Sequence, residues 1–194
     1  LVAGVRLTSN EMIHIGDWIT LTDGSIDGTV QDITLTTVKV KQGDNSIATV
    51  SPQTLVNGSF LNWKDMLEGG GRRVKKVVYF DVRSIRIADD DLKKSLLEKG
   101  YVKENELKGS VINIGLFRHY MEHYLSKRED VNPKMALLLR QLDATQAGVP
   151  IEFYFFLSNK DWVPYEHSTS DILEHVYAYA HEFGLIIYEQ NPQQ

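Results

Sequence analysis

The sequence contains no cysteine and no long apolar run, and each absence excludes a class of protein. Without cysteine the chain has no disulfide, no thiolate nucleophile and no cysteine-ligated zinc or iron–sulfur site. No stretch approaches the roughly 18 consecutive apolar residues that a membrane-spanning helix needs. Positive charge is also in deficit: 21 Lys and Arg residues stand against 26 Asp and Glu residues, which gives a net charge of -5. Such a chain lacks the clustered cations that general nucleic-acid binding requires.

The length and composition allow one large or two small domains, since 42% of the 194 residues are hydrophobic. The chain starts at Leu1 in apolar sequence, without the pattern of a signal peptide. We expect it to be a fragment of a longer protein whose membrane part precedes Leu1. A processed mature N-terminus is the alternative. Residues 1–11 are predicted to be the end of a helix.

Residues 12–63 have the pattern of a small all-β domain. Short runs rich in Val, Ile and Thr alternate with turn residues such as Asp23-Gly24 and Asp27-Gly28. The predicted strands are Trp18–Thr22, Asp27–Thr34, Thr36–Lys41, Ser46–Ser51 and Asn57–Asn62. Strands this short and closely spaced favour a closed or nearly closed barrel.

A linker and a second domain follow the predicted barrel. Residues 64–76 are predicted to be the linker, because Gly69-Gly70-Gly71 is flexible and precedes a dense positive run. Residues 77–194 predict the order β-α-(insertion)-β-β-α-β, with the helical insertion at about residues 100–134. That order is a split βαβ arrangement, which is ferredoxin-like.

The order of motifs in residues 12–63 resembles a known family. The motifs are Ile15-Gly16-Asp17-Trp18-Ile19, Gly28-Thr29-Val30, Thr36-Thr37, Asp44, Pro52 and Asn62-Trp63. This series is similar to the barrel domain of the small-conductance mechanosensitive channel (MscS) family. The fold that the resemblance implies is α+β: a small Sm-like β-barrel followed by a ferredoxin-like α/β domain with a helical insertion.

The second domain resembles the miniconductance (YbdG-like) branch of that family. The residues that carry this resemblance are Gly69–Arg73, Asn113–Arg118, Tyr120, Tyr124-Leu125, Arg140–Leu142, Trp162 and Tyr165-Glu166. One position departs from the pattern, since relatives often have Pro-Asn where this chain has Pro52-Gln53. The sequence therefore does not support a role for an asparagine at that turn.

The resemblance implies the function of a channel without enzymatic activity or cofactors. Such a channel is a homoheptamer in the bacterial inner membrane, with this portion on the cytoplasmic side as a soluble vestibule. Ions and small solutes pass through side portals, and rising tension in the bilayer opens the pore to relieve hypoosmotic stress. Upstream helices cross the bilayer, and Ala3, Gly4 and Leu7 form a segment that couples them to the barrel.

Four cations, Arg72, Arg73, Lys75 and Lys76, form the only dense basic patch. They are either a solvated linker or a charged rim beside a portal, where they would bias ion preference. His119 and His123 have metal-ligand spacing on a predicted helix, but no third ligand is near in sequence. The run Asp89-Asp90-Asp91 fits a helix cap better than a calcium loop. We therefore expect no metal site.

Two further functions remain as alternatives to a channel. Small barrels of this kind also bind RNA, so an Sm-like nucleic-acid-binding module is the second hypothesis. The acidic balance argues against it, and no nucleic-acid partner is expected. A metal-dependent enzyme that uses His119 and His123 is the third hypothesis, and bound metal in an elemental assay would distinguish it.

Overall fold

The computed structural model describes residue 3 and residues 11–190 of the chain. The chain divides into two compact units, Leu1–Gly69 and Gly70–Gln194, and the boundary lies within the residues predicted as a linker. Within the described residues, no helix combines the length and the apolar character that a bilayer crossing requires.

The first unit is built on a five-stranded antiparallel sheet with two short helices. Its elements are β1 Trp18–Leu21, β2 Asp27–Ile33, β3 Val38–Gln42, β4 Ile47–Val50, α1 Pro52–Asn57, β5 Phe60–Asn62 and α2 Lys64–Glu68. Alternation of apolar and polar residues turns one face of each central strand inward. The buried core of the unit includes Ile19, Val30, Val38, Val40 and Leu55.

The strand order of the first unit is β4-β3-β2-β1-β5, which places β4 and β5 at the two ends of the sheet. The ladders among residues 18–62 therefore do not show the closed barrel that the sequence predicts. The predicted strand Asn57–Asn62 is also wrong in its first part. Asn57 ends helix α1, which starts at Pro52 because Ser51 caps it: the Ser51 Oγ accepts a hydrogen bond from the Thr54 N–H at 3.1 Å.

The second unit packs helices against a three-stranded antiparallel sheet of order β6-β8-β7. Its elements are β6 Arg72–Phe80, α3 Asp90–Glu98, α4 Asn113–Lys127, β7 Leu138–Gln141, β8 Val149–Leu157 and α5 Trp162–Ala180. Short 3-10 turns cover Val82–Ser84, Glu104–Leu107 and His181–Phe183. The last strand of the predicted order is reduced to a single bridge between Ile187 and Phe80. With that bridge beside β6, the order is that of a split βαβ arrangement.

Most of the residues predicted as a linker lie in a helix or a strand, and Gly69-Gly70-Gly71 separate these two elements. Residues 64–68 form α2, and Arg72 to Lys76 form the first half of β6. Strand β6 pairs with β8 along its whole length, from Arg72 opposite Leu157 to Phe80 opposite Val149. Glycine content and charge predict flexibility from local sequence, whereas nine paired residues of a distant strand fix this segment.

The predicted insertion at residues 100–134 contains a central core helix. Helix α4 buries Phe117, Met121 and Leu125 completely, and these side chains belong to the main core of the unit. Gly115 lies in the first turn of α4 and does not interrupt the helix. We expect removal of this segment to unfold the unit, because the sheet would lose its packing partner. The capping prediction is confirmed: Asp89 accepts from the Leu92 N–H at 2.9 Å.

Gly28 lies where β2 and β3 approach closely, and its substitution should destabilise the first unit. A Cβ at residue 28 would lie 2.2 Å from the Lys41 carbonyl oxygen, so the ladder between the strands must shift. We expect Gly28→Ala to lower the free energy of unfolding by about 1–3 kcal/mol. Denaturant unfolding measures the change. The matched control is Gly43→Ala in the neighbouring turn, where a Cβ meets no atom within 4 Å. Equal effects of the two substitutions would contradict this explanation.

Candidate functional site

The motif residues of the first unit meet at a buried carboxylate. Asp17 precedes β1 and is 8% exposed. One of its oxygens accepts hydrogen bonds from the His14 N–H at 2.9 Å and from the Asn62 side-chain amide at 2.7 Å. Because a buried carboxylate is costly without donors, this pairing holds residues 14–17 against the end of β5.

Asn62 connects three segments of the first unit through one side chain. Its amide also donates to the Met12 carbonyl oxygen at 3.1 Å, and its side-chain oxygen accepts from the Lys64 N–H at 2.9 Å. The segment before the sheet, the last strand and the start of α2 are therefore joined at one residue. Sequence reasoning placed Asp17 and Asn62 in separate motifs, and the fold brings them into contact.

Two tryptophans extend this connection along the sheet. Trp18 and Trp63 stack with their ring centroids 5.3 Å apart. The Trp18 indole N–H donates to Asp27 at 2.6 Å, and the Trp63 indole N–H donates to the Thr20 hydroxyl at 2.9 Å. Each ring is thus held at its polar end as well as by stacking, which makes the β1–β5 edge of the sheet rigid.

The remaining motif residues determine the local conformation of the backbone. Gly16 has a φ of +97°, which other residues resist, and its N–H donates to the Val30 carbonyl oxygen at 2.8 Å. Gly28 allows the close approach of β2 and β3, and Pro52 begins α1. Of the expected coupling segment, Ala3 is helical, whereas Gly4 and Leu7 lie outside the described residues.

Strand alternation splits the basic run of β6 between two sides of the sheet. Arg72 lies over the Tyr165 ring of α5 at 4.1 Å, on the side of the helices. Arg73 lies 5.9 Å from the Tyr154 ring on the opposite side, where Lys75 is also found. Lys76 is exposed. The four cations are therefore not the single patch that the sequence indicates.

Glu152 of β8 balances part of this charge and was missed by sequence reasoning. It is 2% exposed and lies between Arg140 of β7, at 2.6 Å, and Lys75 of β6, at 3.6 Å. The hydrogen bond from Arg140 lowers the pKa of Glu152, and the charge of Lys75 adds to the effect. A glutamate inside the apolar run Ile151–Leu157 was the signal that could have revealed it.

A cluster of rings joins α4 to α5. The His175 ring is sandwiched between Tyr124 at 3.8 Å and Tyr179 at 3.9 Å, and its Nε2 lies 2.9 Å from the Tyr120 hydroxyl. Burial, and then the charge of Arg128, lower the pKa of His175. Sequence reasoning did not single out His175, although His175 and Tyr179 share the i, i+4 spacing of Tyr120 and Tyr124. The cluster packs two helices together and offers no open site.

The side chains considered as metal ligands do not form a metal-binding group with other side chains. His119 and His123 are exposed on the outer side of α4. Among residues 11–190, no group of three or more His, Asp or Glu side chains could hold a metal ion. Asp89 caps α3 and pairs with Arg86, so its carboxylate has structural partners.

Comparison with known proteins identifies the first unit. Residues 1–65 match the family model described as the β-domain of mechanosensitive ion channels. This chain therefore contains, in its first unit, the β-domain found in mechanosensitive ion channels. This match favours the channel hypothesis over the nucleic-acid-binding and metal-enzyme alternatives.

One relative of the chain is the large-conductance mechanosensitive channel MscMJLR of Methanocaldococcus jannaschii. It is 31% identical over 108 residues, which cover 55% of this chain and 29% of the relative. Two solved structures are similar in fold over nearly the whole chain. Arabidopsis thaliana MSL1 has a TM-score of 0.67 at 12% identity, covering 97% of this chain and 57% of that one. Helicobacter pylori MscS in its closed state has a TM-score of 0.63 at 13% identity, covering 100% and 62%.

These similarities differ in what they show. At 12–13% identity the two structures support the fold alone, an α+β fold with antiparallel sheets. The chain spans less than two thirds of each of these proteins. What the whole protein does therefore has to be proposed.

Asn62 offers a test of the buried connection in the first unit. Asn62→Ala removes a donor from the Asp17 carboxylate, which stays buried, so we expect a loss of about 1–3 kcal/mol in the free energy of unfolding. Tryptophan fluorescence in a Trp162→Phe background reports on Trp18 and Trp63 alone, and hence on this unit. The control is Gln53→Ala, whose amide is exposed on α1. A loss no larger than that of the control would contradict a structural role for Asn62.

Proposed function

We propose that this chain is the cytoplasmic portion of a mechanosensitive channel that opens under membrane tension and relieves hypoosmotic stress. The match of residues 1–65 to the channel β-domain carries the proposal. The similarity in fold to two channel structures over 97–100% of the chain supports it. The proposal places the membrane-crossing helices upstream of Leu1, in the bacterial inner membrane, and ions and small solutes as what passes.

The first unit acts in this proposal as a stiff collar below the pore. Residues 12–17 follow directly on the proposed coupling segment of Ala3, Gly4 and Leu7. Asp17 and Asn62 tie these residues to β5 and α2, so a displacement of the upstream helix would move the unit as a body. A loosely attached unit would absorb that displacement instead.

The same proposal includes the fold of each unit, the number of subunits and the branch of the family. The first unit is an Sm-like barrel that closes more fully in the assembled channel, and the second is a ferredoxin-like domain of the vestibule wall. The subunits form a ring, which we propose to be a homoheptamer. The motifs around Asn113 and Arg140, which lie in α4 and β7, are the basis on which we propose the miniconductance branch.

Electrical recording tests the proposal directly. Membrane patches that carry the full-length protein, in cells without other tension-gated channels, should show currents that appear when suction raises the tension. Patches from the same cells without the protein are the control. If the protein is present in the membrane and no current appears before the patch ruptures, the proposed function is wrong.

Lys76 offers a test of the proposed charge at the portals. Its side chain is exposed, whereas the charge of Lys75 is balanced by Glu152 and Arg72 lies over Tyr165. We expect Lys76→Glu to shift the reversal potential in a salt gradient toward cation preference, because a fixed charge near the path favours counter-ions. Lys94→Glu, an equal change on the exposed face of α3, is the control. An unchanged reversal potential for Lys76→Glu would show that Lys76 does not lie near the ion path.

A further inference from the structure

The three-stranded sheet of the second unit is covered by helices on one side only. The side chains of Ile151, Phe153 and Phe155 on β8 point into the core shared with α4 and α5. Alternate residues point the other way. We call this second side the outer sheet face, which consists of Arg73, Lys75, Val77, Tyr79, Leu138, Arg140, Glu152, Tyr154 and Phe156.

The outer sheet face exposes large apolar side chains. Val77 is 36% exposed, Tyr79 38% and Leu138 36%, and each stands on a different part of β6 or β7. The rings of Tyr154 and Phe156 lie between them, half-buried and 5.8 Å apart. Single exposed apolar residues are ordinary on a protein surface, but a continuous apolar sheet face is typical of a surface that another protein covers.

This apolar face is also positively charged. It carries three cations and one carboxylate: Lys75 and Arg140 pair with Glu152, and Arg73 lies over the Tyr154 ring. The excess of positive charge would repel a second outer sheet face brought against it. A partner surface should therefore be acidic and should carry apolar side chains of its own.

The opposite side of the same unit has that composition. Helix α5 buries Tyr165, Ile172 and Val176 toward the sheet. The exposed residues of α5 form what we call the outer helix face, which includes Trp162, Val163, Glu166, His167, Ser170, Asp171, Glu174 and Tyr177. It carries three carboxylates and exposed apolar side chains, including Trp162 at 65% and Val163 at 58%.

We propose that the outer sheet face of one copy of this chain packs against the outer helix face of the next copy. The two faces lie on opposite sides of a unit made of two layers, so they cannot pair around a two-fold axis. Contacts of this head-to-tail kind build a ring when the rotation between copies closes. The inference rests on the proposed function, because it assigns the surfaces through which the second units of the channel associate.

A nucleic acid fits the outer sheet face less well than a second copy does. Aromatic rings and cations together can bind single-stranded nucleic acid. Here Tyr154 is half-buried beside Arg73, and Glu152 occupies the middle of the face. The outer helix face is complementary to the outer sheet face in charge and also carries apolar side chains that can cover its apolar residues. A nucleic acid is complementary to it in charge only.

Because the chain has no cysteine, pairs of introduced cysteines can test the contact. Val77→Cys marks the outer sheet face, and Ser170→Cys marks the outer helix face. The two thiols of one copy lie on opposite sides of the unit and cannot reach each other. We would introduce them into the full-length protein in membranes, with any upstream cysteine replaced by serine, and apply a mild oxidant. Non-reducing gel electrophoresis then separates the products.

We expect a ladder of cross-linked multimers from chains that carry both cysteines, and none from either single variant. Chains with only Val77→Cys, coexpressed with chains with only Ser170→Cys, should give cross-linked dimers and nothing larger. Val77→Cys combined with Ser110→Cys, on the loop before α4, is the matched control and should give no ladder. Arg140→Glu should slow the cross-linking, because it reverses a charge on the outer sheet face.

Several results would overturn the assignment of these faces. They are the absence of a ladder from the double variant, self-linking of Val77→Cys alone, and an equal ladder from the control pair. Protection of the Val77→Cys thiol by a single-stranded RNA oligonucleotide, without any ladder, would assign the face to nucleic acid instead. Tension-activated currents recorded from the same membranes separate the two proposals. If the currents persist and the ladder is absent, the interface is wrong and the channel stands; without currents, the proposed function itself fails.

Discussion

A buried carboxylate at the start of the sheet determines how the first unit is held together. Asp17 can stay at 8% exposure only because backbone and side-chain N–H groups point at it. The amide that supplies the closest contact comes from Asn62, 45 residues further along the chain. That long-range pairing fixes the first and last parts of the unit to each other. The stacked tryptophans beside it and the bond from Asn62 to the start of α2 extend the same constraint.

The second unit depends on a different arrangement of charge. Glu152 lies in the central strand of the sheet, and cations from both neighbouring strands reach it. The three strands therefore share one ionic cluster on the side without helices, while the other side holds an apolar core. This division gives the unit two unlike exterior surfaces, one basic and apolar and one acidic and apolar. Unlike surfaces on opposite sides suit head-to-tail assembly into a ring.

The corrections to the predicted fold share one cause. Glycine and charge in residues 64–76 indicated a linker, because both features favour a flexible segment in isolation, and residues 100–134 were predicted to be an insertion. In the fold, β6 gains the nine residues of β8 as its partner, and α4 gains the sheet as its packing surface. Conversely, the segment predicted to be the last strand forms only a single bridge, at Ile187. Local sequence reports propensity, but pairing with a distant strand decides whether a segment is a strand.

The sequence by itself determined the features that depend on neighbours in the chain. These include the alternating strands of the first unit, the Asp89 cap of α3 and the motifs that resemble the mechanosensitive channel family. Only the tertiary structure decided which motif residues meet. It placed Asp17 against Asn62, enclosed Glu152 between Lys75 and Arg140, and stacked His175 between two tyrosines. The physical reason is that burial, and with it the value of a charge or a hydrogen bond, depends on segments far apart in sequence that come together only when the chain folds.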